Sequence, residues 1–287
     1  MQVSLDNGVG KSRNKFLTEI MPHPVKIFPH ELIYEIFTHF NLATLGTVCC
    51  VNNAWQQLGN KPNLWKIAIY KEIAFGNDKW AQCFGSDIVK DEVSGEDFDS
   101  LPFRDFISDV QKFKRIFPEK NAKDILMLVR LPKTLNGGLT LKNLGQLAKK
   151  YFPNSNEGYA YIWEDIIKEK GDNLIDKSRW VLMTKDVLPG SRNKSFDDQQ
   201  KLVADLAKKF LVNYQVPELL ESTACILSQY FSSYKRLFND IPSTYTRCMD
   251  NIQGYRLVVG GFSPNGLDIV CHIRAHSEIG IAALRKF

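Results

Sequence analysis

Apolar residues recur at one-turn spacing near the start of the chain. Leu32, Ile33, Ile36, Phe37 and Phe40 follow one another at helical intervals, and Pro29 stands where the first turn of a helix tolerates a missing N–H. Two further runs have the same period, one from 42 to 58 and one from 64 to 69, with the breaker Gly-Asn-Lys-Pro between them. The pattern predicts three short helices over roughly 45 residues.

The rest of the chain alternates between helical and strand patterns. Helical spacing predicts helices in 103–117, 140–152, 195–211 and 217–231, the last with Pro217 in its first turn. Ser195 with Asp198 three residues later resembles a helix-capping pair. Continuous apolar runs predict buried strands in 125–132 and 180–188, and β-rich runs separated by turns fill the part after 244.

These patterns predict an α+β protein with four parts. Residues 1–24 are polar and read as a flexible leader, and 25–75 hold the helical block. Residues 76–119 are a linker with a helix, because 85–102 is acidic, rich in small residues and closed by a proline. Residues 120–287 form a domain in which helices pack on a largely antiparallel sheet.

Composition narrows the functional classes. The 287 residues are 44% apolar and 24% charged, as in ordinary folded proteins. The net charge of +5 is interleaved with acidic residues, and the pairs Lys149-Lys150 and Lys208-Lys209 are typical of solvated faces, so we expect no nucleic-acid partner. No run approaches the roughly 20 apolar residues of a membrane span, so we expect no membrane partner and a cytoplasmic location.

The cysteines and histidines of the chain do not form a pattern typical of a catalytic or metal site. Six cysteines lie at 49, 50, 83, 225, 248 and 271 without metal-ligand spacing, which favours reduced, mostly buried thiols. Cys271 and His272, with Asp268 three residues earlier, suggest a cysteine nucleophile with a histidine base. Adjacent residues of a strand point to opposite faces, however, so these two side chains cannot easily form a pair. His276 is an alternative partner for Cys271. We predict no catalytic residue, no metal site and no cofactor.

The apolar surface of the helical block indicates one side of a protein–protein interface. Three helices of this length are too short to bury a comfortable core of their own, yet each carries apolar side chains around much of its surface. If six large side chains face outward, burying them on a partner contributes roughly 9 to 18 kcal/mol gross, at about 1.5 to 3 kcal/mol each. Packing on the α+β domain is the alternative use of this surface.

The residues of this block resemble the F-box motif from end to end. The motif is usually written L-P-x-E-L-L-x-x-I-L-x-x-L, then D-L, V-C-x-x-W and P-x-L-W. This chain reads FPHELIYEIFTHF from 28 to 40, followed by Leu45, Val51, Trp55, Leu58 and PNLW at 62–65. Phe28, Thr44, Asn52 and Ala54 depart from the pattern, and none of these departures removes an apolar anchor.

The resemblance implies docking on a Skp-type adaptor and, through it, on a cullin-RING ubiquitin ligase. Carried over by position, the adaptor-binding residues are Phe28, Pro29, Leu32, Ile33, Ile36, Phe37, Leu45, Val48, Val51, Trp55, Leu64 and Trp65. Such a chain is a scaffold that recruits an unknown protein target through its C-terminal domain and needs no catalytic side chain. Two alternatives stay open: an enzyme that its F-box only localises, and a competitor that joins no ligase.

The C-terminal region is similar to that of F-box proteins of amoeba-infecting chlamydiae. The resemblance rests on segments such as RWVLMTKDVLPGSRNKSF, YQVPELLESTACILSQYF, YTRCMDNIQGY, VVGGFSPNGL and IGIAALRKF. It implies a bacterial effector that imitates a host ligase component and acts in the host cytosol.

Overall fold

The computed structural model describes residues 30–89, 92, 95–272 and 274–287. Contacts divide the chain into two compact units, Met1–Glu72 and Ile73–Phe287. The predicted leader, together with Phe28 and Pro29, lies outside the described residues.

Among its described residues, unit 1 contains four helices: α1 (His30–Thr38), α2 (Leu42–Val48), α3 (Asn53–Gly59) and α4 (Pro62–Glu72). The second predicted helix is thus two, because Asn52 interrupts the run and begins α3. A small core fills the interior, formed by Ile33, Phe37, Leu45, Val48, Leu58, Leu64 and Ala68. The helical character predicted for this block is confirmed.

Unit 2 contains seven α-helices among its described residues. They are α5 (Asn77–Phe84), α6 (Glu96–Asp99), α7 (Phe103–Lys114), α8 (Leu141–Ala148), α9 (Glu164–Lys170), α10 (Phe196–Phe210) and α11 (Leu219–Ser233). Short 3-10 turns lie at Ser86–Val89, Ala122–Asp124 and Leu135–Gly137. The four helices predicted from periodicity are therefore confirmed as α7, α8, α10 and α11.

The strands form two sheets. β1 (Leu126–Leu131), β3 (Arg179–Thr184) and β8 (Leu284–Lys286) make an antiparallel sheet in the order β1-β3-β8. The second sheet has the order β2-β6-β5-β4-β7, with strands β2 (Tyr161–Ile162), β4 (Tyr245–Ile252), β5 (Tyr255–Ser263), β6 (Gly266–His272) and β7 (Ile279–Gly280). Its central pairs are antiparallel, while β2 and β7 run parallel to their neighbours. The predicted α+β class is confirmed, with two sheets in place of one.

Helix α11 is the centre of unit 2. It contacts β1 and β3 of the first sheet, β4 and β5 of the second, and helices α5 and α8. Ten of its fifteen residues are buried, including Ala224, Cys225, Ile226 and Leu227 in succession. Burial on most sides places this helix in the interior, where it fills the space between the two sheets.

The segment predicted as a linker, 76–119, packs within unit 2. Trp80 is fully buried and its indole N–H donates to the backbone oxygen of Arg130 at 2.9 Å. The backbone oxygen of Asp97 accepts from the indole of Trp180 at 2.9 Å. Both contacts tie the segment to strands β1 and β3, which its local composition does not reveal.

Helix starts follow local side-chain chemistry. The Ser195 hydroxyl accepts from the backbone N–H of Asp198 at 3.1 Å, which confirms the predicted cap of α10. Helix α11 differs from the prediction, since its N-cap is Glu218, paired with Glu221 in a reciprocal capping box. Pro217 therefore precedes the helix.

Candidate functional site: the outer face of unit 1

Two asparagines set the ends of the short helices in unit 1. Asn41 adopts an extended conformation and its Oδ1 accepts from the backbone N–H of Thr44 at 2.7 Å, which starts α2. Asn52 does the same for α3, accepting from Trp55 N–H at 2.9 Å. Asparagine is among the best N-cap residues, so the departure at 52 is a local gain for the helix start. The residue type predicts an N-cap at both asparagines. In the sequence, however, Asn52 is noticeable mainly as a departure from the F-box motif.

The interior is aromatic on one side of α1. Phe37 is 1% exposed, stacks on Phe40 with ring centroids 5.2 Å apart, and meets Trp55 edge to face at 5.7 Å. The indole nitrogen of Trp55 is buried without a hydrogen-bond partner. Such contacts fix the rotation of α1 about its axis, and so they decide which of its residues face out.

The outward-facing apolar residues of α1 are Leu32 and Ile36, which lie one turn apart. They are 50% and 44% exposed, while the neighbouring Ile33 is 4% exposed. Val51, in the turn before α3, is 55% exposed. Completing the burial of three half-exposed aliphatic side chains on a partner contributes about 2 to 5 kcal/mol before association costs.

Polar contacts hold the ends of this face in place. The Lys71 ammonium group of α4 donates to the carbonyl oxygen of Thr38 at 3.3 Å, where α1 ends. Glu72 accepts from the backbone N–H of Leu42 at 2.5 Å. The Lys61 ammonium group lies 4.7 Å from the centre of the Tyr34 ring. The first and second helices are thereby tied to the last.

The predicted adaptor-binding residues fall into three groups. Leu32, Ile36 and Val51 are exposed, and Trp55 and Trp65 are partly buried against the core. Five lie in the core, namely Ile33, Phe37, Leu45, Val48 and Leu64. These five are buried in this structure and support the outer face from inside. Phe28 and Pro29 lie outside the described residues.

Comparison with known proteins identifies the class of unit 1. Residues 26–67 match the family model of the F-box domain, which spans α1 to α3 and the first half of α4. This chain therefore carries an F-box domain. The domain supports a role as an adaptor-binding component of a Skp–cullin–F-box ubiquitin ligase, and it indicates a scaffold or substrate-recognition subunit. Comparison with curated proteins finds no match, and comparison with solved structures finds none.

The Cys-His pair of unit 2 does not assemble a nucleophile. In β6, Cys271 pairs with Leu257 and His272 with Arg256, so the two side chains point to opposite faces. Burial and the carboxylates of Asp165 and Glu169 raise the pKa of the Cys271 thiol. Nδ1 of His272 lies 3.1 Å from the backbone oxygen of Arg274. A protonated thiol that points away from the His272 imidazole cannot use that imidazole as its general base.

Two of the other thiols lie in the core of unit 2. Cys225 and Cys248 are fully buried, and burial raises the pKa of each. The Cys248 sulfur lies 3.3 Å from the Ser222 hydroxyl. All six cysteines are free. Within the described ranges no three His, Cys, Asp or Glu side chains cluster as metal ligands, and no helix there is long and apolar enough to cross a membrane.

Proposed function

We propose that this protein is a substrate receptor of a Skp–cullin–F-box ubiquitin ligase, in which unit 1 docks on the adaptor and unit 2 recruits the target. One observation carries the adaptor half of the proposal. Helix α1 keeps Ile33 and Phe37 in the core while it presents Leu32 and Ile36 to solvent, as an interface held on a rigid core requires. Exposed large aliphatic residues in an F-box domain are hydrophobic anchors for a partner.

Scaffolding explains how such a chain acts without chemistry of its own. Tethering a target beside a ubiquitin-loaded enzyme raises the effective concentration of its lysines, which turns an encounter between two molecules into one within a complex. The buried thiols of unit 2 are consistent with this division of labour. Resemblance of the C-terminal segments to chlamydial F-box proteins leads us to place this activity in a host cytosol, where the protein acts as an effector.

The test replaces the exposed anchors and leaves the core intact. Binding to a purified Skp-type adaptor is measured by calorimetry for the wild type and for the double variant Leu32→Glu plus Ile36→Glu. We expect the variant to lose at least about 100-fold in affinity, since each charge lies where an apolar contact is needed. The matched control is Leu211→Glu plus Ile241→Glu, because these residues of unit 2 are 92% and 84% exposed and receive the same change.

Two results would overturn the adaptor assignment. One is a wild type that does not bind the adaptor, and the other is a double variant that binds as tightly as the control while its circular dichroism is unchanged. The host-cytosol proposal has a separate test, in which infected amoebae are fractionated and probed for the protein. Its recovery only with the bacteria would contradict that location.

A further inference from the structure

Unit 2 gathers lysines and tyrosines from five separate places in its sequence onto one surface. We call it the Lys-Tyr surface. Lys79 lies on α5, Lys150 and Tyr151 follow α8, and Lys123 lies in the 3-10 turn before β1. Lys185 follows β3, and the C-terminal end of α11 and the residues just after it contribute Tyr230, Tyr234 and Lys235. Its members are Lys79, Lys123, Lys150, Lys185, Lys235, Tyr151, Tyr230 and Tyr234.

Direct contacts link four of these five places. The rings of Tyr151 and Tyr234 lie 6.0 Å apart. Lys235, next in sequence to Tyr234, forms an ion pair with Asp124 at 2.8 Å. The neighbouring residue, Lys123, accepts a hydrogen bond on its backbone oxygen from the Lys185 ammonium group at 2.9 Å. Basic groups separated by up to about 110 residues are therefore linked step by step.

The positive charge of the surface is only partly neutralised. Lys150 and Lys185 donate to the backbone oxygens of Cys83 and Lys123, which carry no net charge. Burial is the main cause that lowers the pKa of Lys185 to about 8, and Lys235, Lys79 and Lys123 lower it further, while Asp124 opposes them. Repulsion among neighbouring ammonium groups is relieved when an anion binds between them.

In another part of unit 2, basic residues already have carboxylate partners. A pocket of about 590 Å³ in unit 2 is also lined by basic residues. There Arg179 lies 2.9 Å from Asp176, and Lys286 lies 3.0 Å from Glu218. Because these cations already have carboxylate partners, the pocket offers less attraction for an external anion than the Lys-Tyr surface does.

The tyrosines decide which kind of anion fits. Tyr234 is 70% exposed and closes α11 in the left-handed conformation, with φ of 55°. The rings of Tyr151 and Tyr230 meet at 74°, and those of Tyr230 and Tyr234 at 71°. Rings packed edge to face offer few parallel faces for stacked bases, whereas clustered tyrosines are favoured at protein interfaces.

We propose that the Lys-Tyr surface binds an acidic segment of a partner protein, with carboxylates of the segment on the lysines and an apolar or aromatic side chain on Tyr234. The assignment of that segment to a ligase target rests on the proposed function. The binding itself depends only on unit 2.

The test uses a short fluorescent peptide of glutamates around one phenylalanine, titrated with the full chain and followed by anisotropy at about 0.15 M salt, where distant charges are screened. We expect Lys150→Glu plus Lys235→Glu to weaken binding at least about tenfold. Lys150→Gln plus Lys235→Gln, which does not repel Asp124, should weaken it in the same direction. The matched control is Lys208→Glu plus Lys209→Glu, exposed residues in the last turn of α10.

Tyr234→Ala separates a docking surface from general attraction between charges. We expect a loss of about threefold to tenfold for this variant, with an unchanged melting temperature, because its side chain is mostly exposed. The proposal fails if the tyrosine variant binds like the wild type, if the control variant loses as much as the lysine variants, or if a glutamine version of the peptide binds equally well. Tighter binding of a single-stranded oligonucleotide or of phosphatidylserine vesicles would replace it with another partner class.

The same variants keep this result distinct from the adaptor result. Leu32→Glu plus Ile36→Glu should bind the acidic peptide normally, and the lysine variants should bind the adaptor normally. If the lysine variants lose both ligands, the acidic-segment proposal is contradicted, since the effect is then not confined to this surface.

Discussion

The ionisation of Lys185 can be tested through its effect on the free energy of unfolding. Burial and neighbouring lysines lower its pKa to about 8, from about 10.5 in an unfolded chain. Between these two values the unfolded state holds the proton and the folded state does not, so the free energy of unfolding rises with pH. We expect Lys185→Met to lack this rise. The free energy of unfolding of the wild type minus that of the variant should rise by about 1 to 2 kcal/mol from about pH 7.5 to 9.5, as measured by urea unfolding.

Titration of tyrosines and cysteines occurs in both proteins and cancels in this difference. Lys208→Met makes the same change at an exposed position and is the matched control. A Lys185 difference that stays constant or shrinks as pH rises would show that its ammonium group is not destabilised in the fold.

At the scale of an element, α7 is held by its acidic residues as well as by its aromatic face. Asp109 is fully buried and lies 2.9 Å from the Arg285 guanidinium of β8, which Asp105 also approaches at 2.8 Å. Asp109→Ala leaves a partly buried guanidinium with one exposed partner. We expect the free energy of unfolding to fall by about 2 to 4 kcal/mol, measured by chemical denaturation.

Asp105→Ala is the matched comparison, since it removes a carboxylate from the same arginine at a half-exposed position. It should cost less than about 1 kcal/mol. Equal losses for the two variants would mean that burial of Asp109 does not govern the strength of the pair.

At the scale of the whole molecule, the two units differ in the size of the core that their described residues form. Among the described residues, unit 2 has an extensive core around α11, whereas the core cluster of unit 1 consists of seven buried side chains. We expect a fragment of residues 73–287 to melt cooperatively within about 4 °C of the main transition of the full chain, a shift that corresponds to about 1 kcal/mol. Calorimetry on both proteins measures this.

A fragment of residues 1–72 provides the complementary result. It should show weak helical circular dichroism alone and gain helicity when the adaptor is added, because so small a core supplies little stability by itself. A noncooperative 73–287 fragment would contradict the assignment of the large core to an independent unit.

Much of this fold is readable from local patterns. The spacing of Phe106 and Phe113 predicts α7, and both side chains are buried; Ser195 predicts the start of α10. Such features depend on residues within one or two turns, and helical period and cap preference act at that range. The F-box match likewise rests on one continuous segment.

Other features depend on contacts between residues far apart in sequence. Periodicity places Leu32, Ile33, Ile36 and Phe37 on α1, but only packing on Trp55 and its neighbours turns Ile33 and Phe37 inward. The linker reading of 76–119 has the same origin, because its polar residues have their hydrogen-bond partners elsewhere in unit 2.

The sequence by itself determined the helical character of the F-box domain, the α+β class and the cap of α10, since each is encoded by neighbouring residues. Only the tertiary structure decided which anchors face outward, how the strands divide into two sheets around α11, and that Lys150, Lys185 and Lys235 share a surface with Tyr234. The physical reason is range: a local pattern fixes the period of an element, whereas its orientation and the sum of the charges around it depend on packing partners that are distant in sequence.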